Sequence, residues 1–386
     1  MLLVVGIILF VGLVVAHEFG HFIVARRNGV EVEEFGIFFP PRLYERKTKG
    51  GWVFSINAIP LGGFVKLKGE HDSDTEPGSF GAASTWVKTK IMTAGVAMNL
   101  LVALLMFMVI TLIGMPKLID NQFTVKSDTQ LISQKLFIGH VEPGSPAGKA
   151  GLKPLDELTD LRRPGYSPVA LVNSSKLPSV TKQFAGQTVD VFYVRDGYHQ
   201  QARLTLLDAK TVAASRQTDN PKGYLGIIPQ DYSLRRSTWS APIVAMGFSA
   251  QVTGLTLQGL GHALQGLGGL IAGAVTGNTA ARQHGQADAS SQVSGPVGIF
   301  FILKNGSLLG VQFMLFIIAI ISLTLAIMNI LPIPALDGGR LWMLLISRAL
   351  KRPLSPRAEE LINLSGFAIL IVLILLITIV DVKRFF

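Results

Sequence analysis

The chain has 386 residues, 49% of them hydrophobic and only 16% charged, with a mean hydropathy of +0.44. That balance excludes a wholly water-soluble enzyme and points to an integral membrane protein that also carries water-exposed mass. The net charge of +10 comes without the basic and aromatic interleaving that grips nucleic acid, so it is assigned to basic loops at a membrane face and no nucleic-acid partner is expected. There is no cysteine, so any metal must be held by His, Asp or Glu.

Residues 1–25 form the first predicted span. The stretch lacks a basic leading region and a small-residue cleavage site, so it is read as a retained helix and not a signal peptide. Within it lies His17-Glu18-Phe19-Gly20-His21. Ionisable groups in a span are costly and usually functional. Positions four apart share a helix face, so His17 and His21 can grip one metal ion. Glu18 is then placed to act as general base on a metal-activated water, the H-E-x-x-H pattern of zinc hydrolases. The competing reading, two core histidines satisfied by hydrogen bonds, has no cheap partner for them in an apolar span.

Residues 26–90 are basic and are expected on the cytoplasmic side, with a membrane-associated β-hairpin. Apolar runs on both sides of Gly62-Gly63 make that pair a turn or bulge signal. The hairpin either presents an edge strand near the metal or packs as a structural flap. Residues 91–115 are a second span. Residues 116–235 form an extracytoplasmic region, with β-like runs at 188–194 and 202–206 inside a small domain at about 137–207. In 236–306, the apolar stretch 241–275 is interrupted by glycines and by Gln251, Gln258, His262 and Gln265. It reads as an amphipathic interfacial helix followed by a flexible link at 282–291. Residues 307–331 are the third span, 332–360 a loop and cytoplasmic segment, and 361–381 the fourth span. Both termini are then extracytoplasmic.

A catalytic zinc usually takes three protein ligands and keeps one position open. Asp337 is the best third candidate, in Asn329-Ile330-Leu331-Pro332-Ile333-Pro334-Ala335-Leu336-Asp337-Gly338-Gly339. Its two prolines forbid a regular helix, and its glycine pair permits a tight turn. Asp337 could instead cap the helix that follows. Parity bears on the choice. Spans one and three both run inward and deliver His17, His21 and Asp337 to one depth, whereas a crossing by 241–275 would put Asp337 on the opposite face.

These motifs resemble the site-2 protease family, specifically the bacterial RseP-type intramembrane metalloproteases. The likeness runs in order along nearly the whole chain: the H-E-F-G-H span, Pro60-Leu61-Gly62-Gly63-Phe64-Val65-Lys66, Ala94-Gly95-Val96-Ala97-Met98-Asn99, Ser294-Gly295-Pro296-Val297-Gly298 and the N-x-x-P-x-P-x-L-D-G-G run. Between them, residues 138–152 resemble a PDZ domain of the bacterial protease-associated type, which either binds peptide by strand addition or filters substrates by bulk. The resemblance implies a multi-pass α-helical protein of the bacterial inner (plasma) membrane, with four transmembrane helices and an extracytoplasmic PDZ-like α+β domain. It implies Zn2+ on His17, His21 and Asp337, with Glu18 as base. Asn329, Pro332, Asn99, Gly62 and Gly63 become candidate substrate contacts. The implied reaction is cleavage of transmembrane segments of membrane-anchored proteins, such as anti-sigma factors or signal-peptide remnants, after another protease has trimmed them. Four departures stand out: Val96 where relatives often have proline, Arg340 where some have histidine, Leu155 where the usual K-P-G-D turn has glycine, and one PDZ-like domain where some relatives have two. The rival reading is a non-proteolytic zinc-binding scaffold or transporter. A transporter should show internal repeats or several polar spans, and neither is seen. A scaffold has no use for Glu18 between two ligands.

Overall fold

The computed structural model describes residues 2–70, 74–217, 221–276, 295–351 and 355–385; the link expected at 282–291 lies outside them. The chain divides into two compact units, Met1–Ile110 with Pro242–Phe386, and Thr111–Ala241.

The first unit opens with α1 (Leu2–Arg27), whose buried face includes Leu13, His17, Gly20, His21 and Phe22. Two long antiparallel strands follow, β1 (Val32–Lys47) and β2 (Val53–Leu67). Each strand is bent. Val32–Ile37 pairs with Gly63–Leu67, and Arg42–Lys47 pairs with Val53–Asn57; Glu34–Ile37 also lies beside Val53–Ile56. The buried Asn57 amide holds the bend by donating to the carbonyls of Ile37 and Phe38. The reversal between the strands is at Thr48–Gly51, where Gly51 N–H donates to the Thr48 carbonyl. Gly62-Gly63 is therefore not a hairpin turn. It is a kink inside β2, with Gly62 at φ +119°, a conformation that favours glycine. Rings of Phe22, Phe35 and Trp52 pack edge to face at 4.8 to 6.5 Å and fasten the sheet to α1.

Helix α2 (Thr85–Ile113) begins six residues before the expected start at 91. Apolarity marks where lipid begins, whereas the helix starts at its cap: the Ser84 hydroxyl accepts from Val87 N–H. The extra turns carry Lys88 and Lys90, the latter with its ammonium 5.4 Å from the exposed Trp86 ring, as expected at a lipid headgroup boundary.

Among the described residues, the second unit is a seven-stranded antiparallel sheet with three short helices. In chain order they are β3 (Met115–Pro116), β4 (Gln130–Val141), α3 (Pro146–Lys149), β5 (Glu157–Arg162), β6 (Val169–Ala170), α4 (Leu177–Gln183), β7 (Thr188–Arg195), β8 (Tyr198–Thr205), α5 (Ala209–Ser215) and β9 (Ile227–Arg236). The strand order is β3-β9-β4-β5-β7-β8, with β6 beside β5. Leu136, Ile138, Leu158, Leu161, Val189, Val191 and Leu204 fill the core. The sheet extends beyond the expected 137–207. β9 pairs along the length of β4, from Gln130↔Arg236 to Val141↔Ile227, and Pro229 inside it hides the strand from pattern reading.

The turn at Lys153-Pro154-Leu155-Asp156 is kept despite the missing glycine. Asp156 accepts from Lys153 N–H at 2.7 Å and pairs with Arg195 at 2.6 Å. The cost falls on Leu155, at φ +70°. Leu155→Gly should stabilise this unit by about 1 kcal/mol, because a left-handed residue with a Cβ costs that order. Calorimetry of the two forms checks the sign, and a lower melting temperature in the glycine form would contradict it.

The remaining helices return to the first unit: α6 (Ala241–Thr276), α7 (Pro296–Gly306), α8 (Val311–Ile330), α9 (Asp337–Ala349) and α10 (Pro356–Phe385). Rings of Phe107, Phe248 and Phe316 meet at 5.1 to 6.0 Å and join α2, α6 and α8. The buried Asp381 of α10 accepts from the backbone N–H groups of Gly295 and Gly298, capping α7. Met314 lies against Gly6, and Asp337 against His17, so α8 runs in the same direction as α1. Among the described residues, five helices, α1, α2, α6, α8 and α10, are long and apolar enough to cross a membrane. The fifth is α6, expected to be interfacial. Its Ala, Gly and Val content keeps the average apolar despite the glutamines, and it is the least apolar of the five.

Candidate metal centre

Helical spacing brings the two imidazoles to one face of α1, with Nε2 atoms 3.2 Å apart. Asp337 Oδ2 sits 3.0 Å from His17 Nε2 and 3.1 Å from His21 Nε2. A tetrahedral zinc with bonds of about 2.1 Å has ligand-to-ligand edges of roughly 3.4 Å, so the three donors already lie at the spacing of three corners. Among the described residues, no other group of His, Asp and Glu converges in this way.

Local folding sets each donor. His21 Nδ1 lies 2.7 Å from the Ile91 carbonyl, which fixes Nδ1 as the protonated nitrogen and leaves Nε2 free to ligate. Asp337 stands at the first position of α9, after a turn in which Ala335 adopts φ +72°. The turn folds so tightly under the helix start that a Cβ on Gly338 would lie 2.2 Å from the Leu331 carbonyl oxygen, and one on Gly339 2.2 Å from that of Ile333. Asp337 does not cap the helix. The capping position belongs to Leu336, which makes no side-chain bond, and the Asp337 carboxylate turns to the histidines.

Helix α2 closes the other side of the site. A Cβ on Gly95 would lie 2.4 Å from His21 Nε2 and 2.5 Å from His17 Cε1. Gly20 in turn lets α1 approach α2, its Cβ position being 2.6 Å from the Ala94 carbonyl oxygen. Ile91, Gly95 and Asn99 thus form one stripe at four-residue spacing along α2. The Gly95-to-Asn99 spacing was readable in the sequence; that Gly95 must lack a side chain for the imidazoles was not.

Glu18 is beside the donors and near the Val65 backbone amide. A Cβ on Gly63 would lie 3.3 Å from Glu18 Cγ. The Gly63–Leu67 segment pairs on one side with Val32–Ile37 and turns its other side to Glu18.

Two cavities meet at this point. One, of about 330 Å³, is lined by Val14, His17, Glu18, Phe39, Gly62, Gly63, Asn99, Leu325 and Asn329. The second, of about 340 Å³, adds His21, Phe64, Val65, Glu70, Phe80 and Arg340. Both reach Glu18, Gly63, Ala335 and Asp337. The structure therefore brings His17, Glu18, His21, Asp337, Asn99, Asn329, Gly62 and Gly63 together, while Pro332 is exposed and lines neither cavity. Arg340 donates to the Glu70 carbonyl and has its guanidinium 5.8 Å from the Phe80 ring.

The family profile described as "Peptidase family M50" matches residues 5–373. A Clostridium perfringens protein named "Putative zinc metalloprotease" is 28% identical over 99% of this chain and 98% of its own length. A Clostridium acetobutylicum protein of the same description is 28% identical over 98% and 97%. The "Zinc metalloprotease RasP" of Oceanobacillus iheyensis is 23% identical over 99% of both chains.

Proposed function

The chain belongs to peptidase family M50, the site-2 protease family, and from that membership and the geometry above we propose that His17, His21 and Asp337 hold its zinc, with Glu18 as the proton-transfer group of an intramembrane endopeptidase. The observation that carries this reading is the convergence of Asp337 Oδ2 on both Nε2 atoms at 3.0 and 3.1 Å, from a helix 316 residues away. The protein is a bacterial membrane metalloprotease acting on membrane proteins. When bound, zinc supplies Lewis acidity to the attacking water and the scissile carbonyl.

The chain's own groups do the rest. Glu18 takes a proton from the attacking water and returns it to the leaving amine. A membrane-spanning substrate is helical and hides its scissile carbonyl in a hydrogen bond, so it must unwind before attack. The side of Gly63–Leu67 that does not pair with Val32–Ile37 offers backbone groups to an extended segment beside Glu18, which offsets the bonds lost on unwinding. The Asn329 amide, in the same cavity, is a donor for the developing oxyanion.

Four spans, with α6 interfacial, are supported by direction. The end of α2 and the start of α8 share one end of the first unit, since Phe107 packs on Phe316 and Gly6 on Met314. The chain between them must cross an even number of times. A crossing by α6 needs a return before Val311; among the described residues of that stretch, the helix Pro296–Gly306 spans only about 16 Å against a core of about 30 Å. The 111–241 unit then lies outside the cell as the PDZ-like domain, and its bulk excludes untrimmed substrates.

The reading is tested with purified protein in liposomes and a single-span reporter containing helix-weakening residues. Cleavage should stop on chelation and return with stoichiometric zinc. Undiminished cleavage by stripped protein would remove the metal from the account.

A further inference from the structure

Asn99 is the one strongly polar side chain on α2 that touches a metal-site imidazole. It is 1% exposed, and its amide nitrogen lies 3.2 Å from His17 Nδ1. Its backbone is held independently, because the Asn99 carbonyl accepts from the Ser322 hydroxyl at 2.8 Å and so ties α2 to α8 at this depth. The backbone cannot easily move the amide elsewhere.

The chemistry of the ligand set decides what the amide does. His17 faces Asp337 and His21 through Nε2. A neutral imidazole that ligates through Nε2 carries its proton on Nδ1, so Nδ1 is a donor and needs an acceptor. With its nitrogen toward Nδ1, Asn99 sets two donors against each other and leaves its own Oδ1 buried without a partner. Turning the amide by half a revolution replaces that donor–donor contact with a hydrogen bond: Oδ1 accepts from Nδ1–H. For His21 the same requirement is met by the Ile91 carbonyl, eight residues and two turns earlier on the same stripe.

We propose that Asn99 is a positioning residue whose amide oxygen accepts the His17 Nδ1 proton and so fixes the tautomer and ring orientation in which His17 ligates the metal. On the zinc reading above, Asn99 belongs to the support of the ligands and not to the substrate contacts. It also accounts for a glycine and an asparagine four residues apart on α2: the first makes room for both imidazoles, and the second orients one of them.

The experiment measures zinc affinity, not cleavage, in full-length protein stripped of metal in detergent and titrated with zinc against a fluorescent chelator. Asn99→Leu keeps the volume but removes the acceptor, and its affinity should fall 10- to 100-fold, the usual effect of removing such a partner. Asn99→Asp keeps an acceptor oxygen and should bind zinc within about threefold of the parent or tighter. Parental affinity in Asn99→Leu overturns the proposal, and so does an equal loss in both variants, which would mean that only the packing of an amide matters. If Asn99→Leu does not fold, Asn99→Asp decides alone, and a loss beyond tenfold is then the contrary result. Asp337→Ala is the control. If it binds zinc like the parent, the ligand assignment itself is wrong, an outcome separate from any result at Asn99.

Discussion

Glu18→Gln should retain a full equivalent of zinc and lose at least about 100-fold in cleavage rate. Glutamine preserves the volume of the side chain and still fits beside Gly63, where a Cβ would come within 3.3 Å of Glu18 Cγ. It cannot take a proton from the attacking water. General-base groups contribute about 10² to 10⁴ in rate, so the loss belongs in kcat, with zinc content unchanged. The measurement is single-turnover cleavage of the reporter alongside metal analysis. Parental cleavage would remove Glu18 from the mechanism, and loss of zinc would make Glu18 part of the ligand shell.

The second large effect is expected at a residue with no functional group. Gly95→Ala places a methyl 2.4 Å from His21 Nε2 and 2.5 Å from His17 Cε1. Neither ring can withdraw freely, because His21 is tied to the Ile91 carbonyl and both are buried on α1. Zinc affinity should therefore fall by about 100-fold or more, in line with the cost of disturbing ligand orientation at two positions. The helix itself should not suffer, since alanine is favoured over glycine in a helix interior by about 1 kcal/mol. A metal-free melting temperature equal to or above the parent's, together with lost zinc, separates the two effects. Parental zinc affinity would show that α1 and α2 are farther apart than the structure has them.

What the sequence made legible follows from where its signals were local. The helical spacing of His17 and His21, the broken backbone before Asp337 and the long apolar runs are patterns within a few residues, and each reappears as an element. Boundaries fared less well, because apolarity and hydrogen bonding end at different places: Ser84 starts α2 before the lipid-like residues do. The hairpin at 26–90 is present as β1 and β2, but its bends left no local signal beyond the glycine pair. Gly62-Gly63 reads in the sequence as either a turn or a bulge; the structure makes it a kink within one strand, where the pairing register shifts beside Glu18. β9 was missed because its partner strand is 86 residues upstream at Val141↔Ile227, and Pro229 breaks the alternating pattern. The α2 stripe of Ile91, Gly95 and Asn99 was partly readable as a motif, but a backbone carbonyl that serves a histidine leaves no mark in sequence.

X-ray absorption at the zinc edge, on the full-length protein in detergent, tests the joint site most directly. The expected shell is two imidazole nitrogens and one carboxylate oxygen with a solvent oxygen, at about 2.0 to 2.2 Å, and Asp337→Ala should alter it while lowering affinity. A spectrum that Asp337→Ala leaves unchanged would contradict the account, because the helix carrying that carboxylate would then have no hold on the metal.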